Sequence, residues 1–113
     1  MKGNIEQMKS NDKISLLNEL NSDKAVRVER FYDVLEKCGM LKHNYRDYMT
    51  TAPIECDAEL RRLPAADFDL CCALLTMLLR EDHFDGGSFE RRQRKGQVKP
   101  IVERMIDLLV TNK

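Results

Sequence analysis

The chain carries no net charge: nineteen lysines and arginines are balanced by nineteen aspartates and glutamates. No overall field steers it towards nucleic acid or a membrane surface, so only local patches can do that. It has no long apolar run either. The longest, Leu70 to Leu75, falls far short of the roughly 20 residues that cross a bilayer, and Arg80 ends the wider apolar zone. The opening MKGNIEQMKSNDK lacks an apolar centre, so no secretory signal is expected and the reading is a cytoplasmic protein without membrane contact. None of the four cysteines, Cys38, Cys56, Cys71 and Cys72, belongs to a CxxC pair, which points to buried free thiols in a reducing compartment. Cys38, His43, Cys56 and His83 have the side chains of a zinc site, but their spacing fits no zinc pattern, and no metal or cofactor is expected.

Catalytic signatures are missing too. No serine, cysteine and histidine stand in a recognisable nucleophile arrangement. The one glycine pair, Gly86-Gly87, is not followed by the Gly-Lys-Ser/Thr of a phosphate loop. Glycines are few and residues 40–66 hold none, while Pro53 and Pro64 break that stretch into short pieces.

What is present is helical. Apolar residues make up 42% and charged residues 34% of 113 residues, too apolar for disorder and enough chain for one domain with its own core. Residues 1–10 read as a loose tail. Ser10-Asn11-Asp12 precedes a short helix with Ile14, Leu16, Leu17 and Leu20. Ser22 is the expected cap of a helix over 23–38, whose Ala25, Val28, Phe31, Tyr32 and Leu35 share one face, with Gly39 as its stop. One or two turns are expected over 43–51, and Asp57 is the expected cap of a short helix to Leu63.

Asp67 then caps the stretch on which the chain is organised, DFDLCCALLTMLLREDHFDGGSF. Phe68 to Leu79 is apolar almost all round. Asp69, Ala73, Thr76, Arg80 and His83 fall on a narrow line where the helix is expected to meet solvent or a partner. Leucine, methionine and alanine dominate it and Thr76 is its one β-branched residue, which favours helix over strand. After Asp85-Gly86-Gly87, Ser88 is the expected cap of a helix over 89–95. A last helix over 98–110 buries Val98, Ile101, Val102, Met105, Ile106 and Leu109, with Pro100 tolerated in its first turn. The fold class is all-α, a single compact bundle of about five to six short helices around a central apolar helix over about 67–83.

Functional side chains are densest at the end of that helix. Arg80, Asp82, His83, Phe84, Gly86, Gly87 and Phe89 form the candidate binding segment. In it His83 has the chemistry of a base, Asp82 or Glu81 that of an orienting carboxylate, and Arg80 that of an anion clamp. Only Arg80 and His83 share a face at three-residue spacing, and cations at a helix C-terminus also serve as caps, so no catalytic residue is assigned. Phe84 and Phe89 are expected to pack together inside the turn; exposure of either would mark a recognition patch. Downstream, ERRQRKGQVK holds five basic residues and one acidic one, and Arg91, Arg92, Arg94 and Lys95 form a basic patch around a short helix.

The pattern Leu74-Leu75-Thr76, Arg80, Asp82, Phe84, Gly87, Phe89 and Gly96, followed by the helix Ile101 to Leu108, resembles an uncharacterised family of small bacterial helical domains. The resemblance covers roughly the C-terminal half and transfers no catalytic residue. Some relatives of that family stand beside macrodomain-type proteins that process ADP-ribose, which implies an accessory module. The leading expectation is therefore a non-catalytic interaction or regulatory module with a protein partner. The alternatives are nucleic-acid binding through the basic helix, or a nucleotide or ADP-ribose-type ligand at the 80–89 turn.

Overall fold

The computed structural model describes residues 9–111. Most of the expected loose tail at 1–10 lies outside the described residues. Six α-helices run in the order α1 (Ser10–Leu20), α2 (Val28–Lys37), α3 (Cys56–Leu60), α4 (Phe68–Phe84), α5 (Ser88–Arg94) and α6 (Lys99–Thr111). Two single 3-10 turns, Tyr45–Tyr48 and Leu63–Ala65, stand between them, and no strand occurs among the described residues. The all-α class and the central helix are as the sequence implies.

The Asp67 side chain caps α4 by accepting a hydrogen bond from the Leu70 amide at 2.8 Å, which satisfies one of the donors a helix start leaves open. From Cys71 to Leu79 every residue is then buried. Each leucine in that run contributes roughly 2 kcal/mol of burial, and the run is long enough to need covering on all sides. α5, α6, α3 and the Tyr45–Tyr48 turn all pack on it, while α1 closes over α6 and α2. Phe31 of α2 and Phe89 of α5 meet edge to face at 4.7 Å in the same core. Phe89 is thus packed against α2, not against Phe84 as expected.

The polar line of α4 meets solvent at Asp69, Arg80 and His83, which are exposed, and is closed only between them, at Ala73 and Thr76. Thr76 is buried, donating its hydroxyl to the Cys72 carbonyl at 2.8 Å and accepting the Lys42 amide at 3.1 Å. The Lys42 ammonium reaches Asp69 at 3.2 Å. The chain between α2 and the first 3-10 turn therefore covers the Thr76 part of that line from within the same molecule.

Several helix boundaries differ from the spacing-based expectation because distant side chains claim the backbone. α2 begins at Val28, not at Asp23. The backbone of Val26 is held outside the helix by Gln93 of α5, whose side-chain carbonyl accepts its amide and whose side-chain amide donates to its carbonyl, both at 2.8 Å. Ser22 accepts only from the nearby Lys24 amide, at 3.1 Å. Ala25 is accordingly exposed in the loop, and Val34 takes its place on the buried face. Gly39, at φ 69°, does stop α2, and the Met40 amide folds back onto the Leu35 carbonyl at 2.8 Å. α1 starts at Ser10 with Lys9 at the capping position, and α3 starts at Cys56, ahead of the expected Asp57 cap.

The irregular middle is fixed by one buried carboxylate. Glu59 of α3 is fully buried. It accepts from the Thr50 and Thr51 amides at 2.9 and 2.7 Å, from the Thr51 hydroxyl at 2.5 Å and from the Arg62 guanidinium at 2.8 Å. Arg62 in turn donates to the Tyr48 carbonyl at 2.8 Å. Burial alone would raise the Glu59 carboxyl; the hydrogen bonds from Thr51, Arg62 and the two backbone amides outweigh it and bring it down to about 2.

Two outcomes follow from these placements. Leu75→Asp should abolish cooperative thermal unfolding followed by circular dichroism, because an unpaired charge at a fully enclosed position costs a large share of the roughly 5–15 kcal/mol that holds a domain together. Glu59→Gln should cost about 2 kcal/mol at neutral pH, through loss of charge-assisted hydrogen bonds. The folded-state value lies below the ordinary 4.5, so the stability Glu59 supplies is complete above pH 4.5 and disappears as pH falls towards about 2. Denaturant titrations of the two proteins should therefore converge over that interval; a gap that stayed constant would assign the stability to another group.

Candidate functional site

α4 outlasts its own enclosure. Burial ends at Leu79, yet the helix continues to Phe84. In this last part Met77, Arg80, Glu81 and Phe84 recur at helical three- and four-residue steps and so share one face. Opposite them runs the segment from Tyr45 to Cys56, held by Glu59. Between the two lies a cleft of about 650 Å³, floored by Met77, Tyr45 and Ile54. That volume lies within the roughly 300–1,000 Å³ of ordinary ligand sites.

Phe84 stands at the rim, 79% exposed, with His83 edge-on to its ring at 5.1 Å. Arg80 lines the cleft, is exposed, and makes no ion pair or hydrogen bond among the described residues. Arg46 lines the opposite wall, with its guanidinium 5.8 Å from the centre of the Tyr45 ring and its Nε donating to the Tyr45 hydroxyl at 3.4 Å. Neither arginine has a carboxylate partner among the described residues. The acids of the cleft are already matched. Glu81 holds Arg92 through two parallel hydrogen bonds of 2.6 and 2.8 Å, and Asp85 holds Arg91 at 2.8 Å. Hydrogen bonds from Arg92 keep the Glu81 carboxyl below its usual range.

The other candidate residues are placed for structural work. Asp82 points away from the cleft, and its carboxylate accepts the Gly87 and Phe89 amides at 3.1 and 3.0 Å, capping α5 in place of the expected Ser88. The Ser88 amide bonds to the Asp85 carbonyl at 3.0 Å. Gly87 takes φ 90°, a conformation that side-chain-bearing residues rarely adopt, and Gly86 is exposed. The turn amides of Gly87, Ser88 and Phe89 are thus occupied. With Asp82 on those amides and Glu81 on Arg92, neither carboxylate is free to orient His83. His83 is exposed and does not line the cleft, so Arg80 and His83 are not brought together there.

The basic patch is largely neutralised. Arg92 is mostly buried and also reaches Asp57 and Gln97, each at 2.9 Å, tying α5 to α3. Arg94 pairs with Glu90 at 2.6 Å, and Lys95 alone of the four has no carboxylate within ion-pair distance. Burial raises the Cys56 thiol in the cleft to about 11, and those of Cys71 and Cys72 to about 11 and 12. None of these three is a ready thiolate at neutral pH. All four cysteines are free, and among the described residues no group of three or more His, Cys, Asp or Glu is placed to hold a metal ion.

Spacing did not single out the wall of the cleft or Glu59. One signal exists: Cys56, Glu59, Leu60 and Leu63 fall at three- and four-residue steps, which puts a carboxylate on an inner face. Nothing local links it to Thr50 and Thr51.

Neither a curated protein nor a solved structure matches the chain. Its residues 2–110 match a family defined from sequence, one whose function is unknown, and the match takes in both walls of the cleft. The chain therefore belongs to the family of unknown function DUF6508.

Proposed function

We propose that this protein is a non-catalytic interaction module that engages a protein partner through the cleft between the end of α4 and the 45–56 segment. The observation that carries the reading is Phe84, a large aromatic side chain left 79% exposed at the mouth of an apolar cleft, beside an arginine without a partner. Aromatic residues and arginine are the side chains that anchor protein interfaces most often. Catalysis has little support, since the histidine has no oriented acid and the thiols are held protonated. Nucleic-acid binding has less support than the basic sequence implies, because Arg91, Arg92 and Arg94 each already hold a carboxylate. Four free thiols suit the reducing cytoplasm, and no helix among the described residues is long and apolar enough to cross a membrane.

Site-specific photo-cross-linking in cells tests the proposal. A photoreactive amino acid in place of Phe84 should give discrete protein adducts, and the same probe at exposed Glu103 of α6 should not. Phe84→Ala should change stability by no more than about 0.5 kcal/mol, as expected of an exposed position. It should nevertheless weaken the captured association by about tenfold, the scale of an interface anchor. Absence of adducts at position 84, or turnover by the purified protein, would overturn the reading.

A further inference from the structure

The chemistry of the cleft narrows its occupant. We infer that it takes an acidic segment of a partner protein, one that inserts a large apolar side chain between the two walls while its carboxylates meet Arg46 and Arg80. This rests on the interaction reading above.

Charge complementarity carries the inference. Six of the ten arginines among the described residues pair with a carboxylate: Arg27, Arg30, Arg62, Arg91, Arg92 and Arg94. Arg104 is satisfied by the Ala66 carbonyl at 2.7 Å. Of the three that remain, Arg46 and Arg80 line one cleft from opposite walls, and only Arg61 lies elsewhere. Glu81 and Asp85 also line the cleft, but each is matched by an arginine of α5. The cleft therefore offers two arginines without an ion pair among the described residues, in a chain of zero net charge.

The floor selects for something besides charge. Met77 and Ile54 are apolar, Pro53 adds an apolar wall, and Phe84 presents an exposed ring at the rim. A small phosphate-bearing ligand is the less favoured occupant. The turn amides of Gly87, Ser88 and Phe89 are already bonded to Asp82 and Asp85, so three of the backbone donors that could cradle a phosphate are taken. A carboxylate needs no such cradle, because a guanidinium holds it with two parallel hydrogen bonds.

Fluorescence anisotropy with labelled synthetic peptides tests the assignment on the full-length protein. Three probes suffice: a central leucine flanked by glutamates, the same peptide with glycine at the centre, and the same peptide with lysines as flanks. The first should bind best, and its affinity should fall as salt is raised. Arg46→Glu and Arg80→Glu should each weaken it by about tenfold or more. Arg61→Glu, which removes an exposed arginine outside the cleft that has no ion pair among the described residues, should change it by less than about twofold. The charge-reversed Arg80→Glu protein should gain affinity for the lysine-flanked peptide, a rescue that mere disruption of the fold would not produce. Equal binding of acidic and basic peptides, or indifference to both cleft arginines, would overturn the inference. So would binding of ADP, abolished by Arg80→Glu, in the absence of peptide binding. If cross-linking at position 84 succeeds while the peptides show no charge preference, only the acidic occupant is lost. If no adduct forms, the interaction reading falls with it.

Discussion

A helix that is apolar around its whole circumference has to be enclosed, and that requirement shapes everything else in this chain. From Cys71 to Leu79, α4 has no face that tolerates water. One neighbouring helix would cover about a third of it. The chain therefore spends α3, α5, α6 and the Tyr45–Tyr48 turn on covering it, with α1 and α2 as a second layer. Even the polar line is roofed at Thr76, whose hydroxyl is satisfied on both sides. A short chain cannot extend that enclosure along the full 17 residues of the helix. The part left outside, Arg80 to Phe84, holds the exposed Arg80 and Phe84 beside Glu81 and Asp82, which are bound to α5.

The short covering elements hold their positions through long-range polar clasps more than through local caps. Of α1 to α5, only α4 has a side-chain cap of the usual kind from its own preceding residue. Elsewhere a side chain from a different element reaches the backbone: Gln93 holds Val26, Asp82 caps α5, Glu59 gathers Thr50, Thr51 and Arg62, and Arg104 holds the Ala66 carbonyl. Each clasp is buried or half-buried, so the groups it satisfies would otherwise face a low-dielectric interior unpaired. Arg92 does the same between α3, α4 and α5, through Asp57, Glu81 and Gln97. A residue type that reads as a surface cation in sequence is here a bolt between three helices.

That distinction explains what was legible beforehand. The helical class, the core helix, its Asp67 cap and the Gly39 stop depend on local periodicity and local backbone geometry, and spacing carries both. The start of α2, the fate of Phe89 and the Arg92–Asp57 pair depend on partners many residues away, and the cap of α5 reaches across a turn from Asp82, so no helical period records them. The candidate segment divides along the same line. Arg80 and Phe84 do border a cleft. Asp82, Gly87 and Phe89 sit beside them in sequence but belong to the α5 cap and the core. The opposite wall was hidden because Tyr45, Arg46, Pro53 and Ile54 occupy an irregular segment whose placement comes from Glu59.

The contrast between Arg80 and Glu81 is the sharpest clue to what kind of surface the cleft is. They are consecutive, they line the same cleft, and they have comparable capacity to form ion pairs. Glu81 is bound twice by one guanidinium, and Arg80 is bound by nothing among the described residues. An exposed arginine loses little by waiting in water, whereas an exposed phenylalanine gains nothing from it. Phe84 could be replaced by a polar residue with no loss to the core, because burial in α4 has already ended five residues earlier. Packing thus explains every apolar residue of α4 up to Leu79 and does not explain this one. The proposed partner would answer both features together, supplying apolar surface to an aromatic ring that the core does not bury and negative charge to a cation without an ion pair among the described residues.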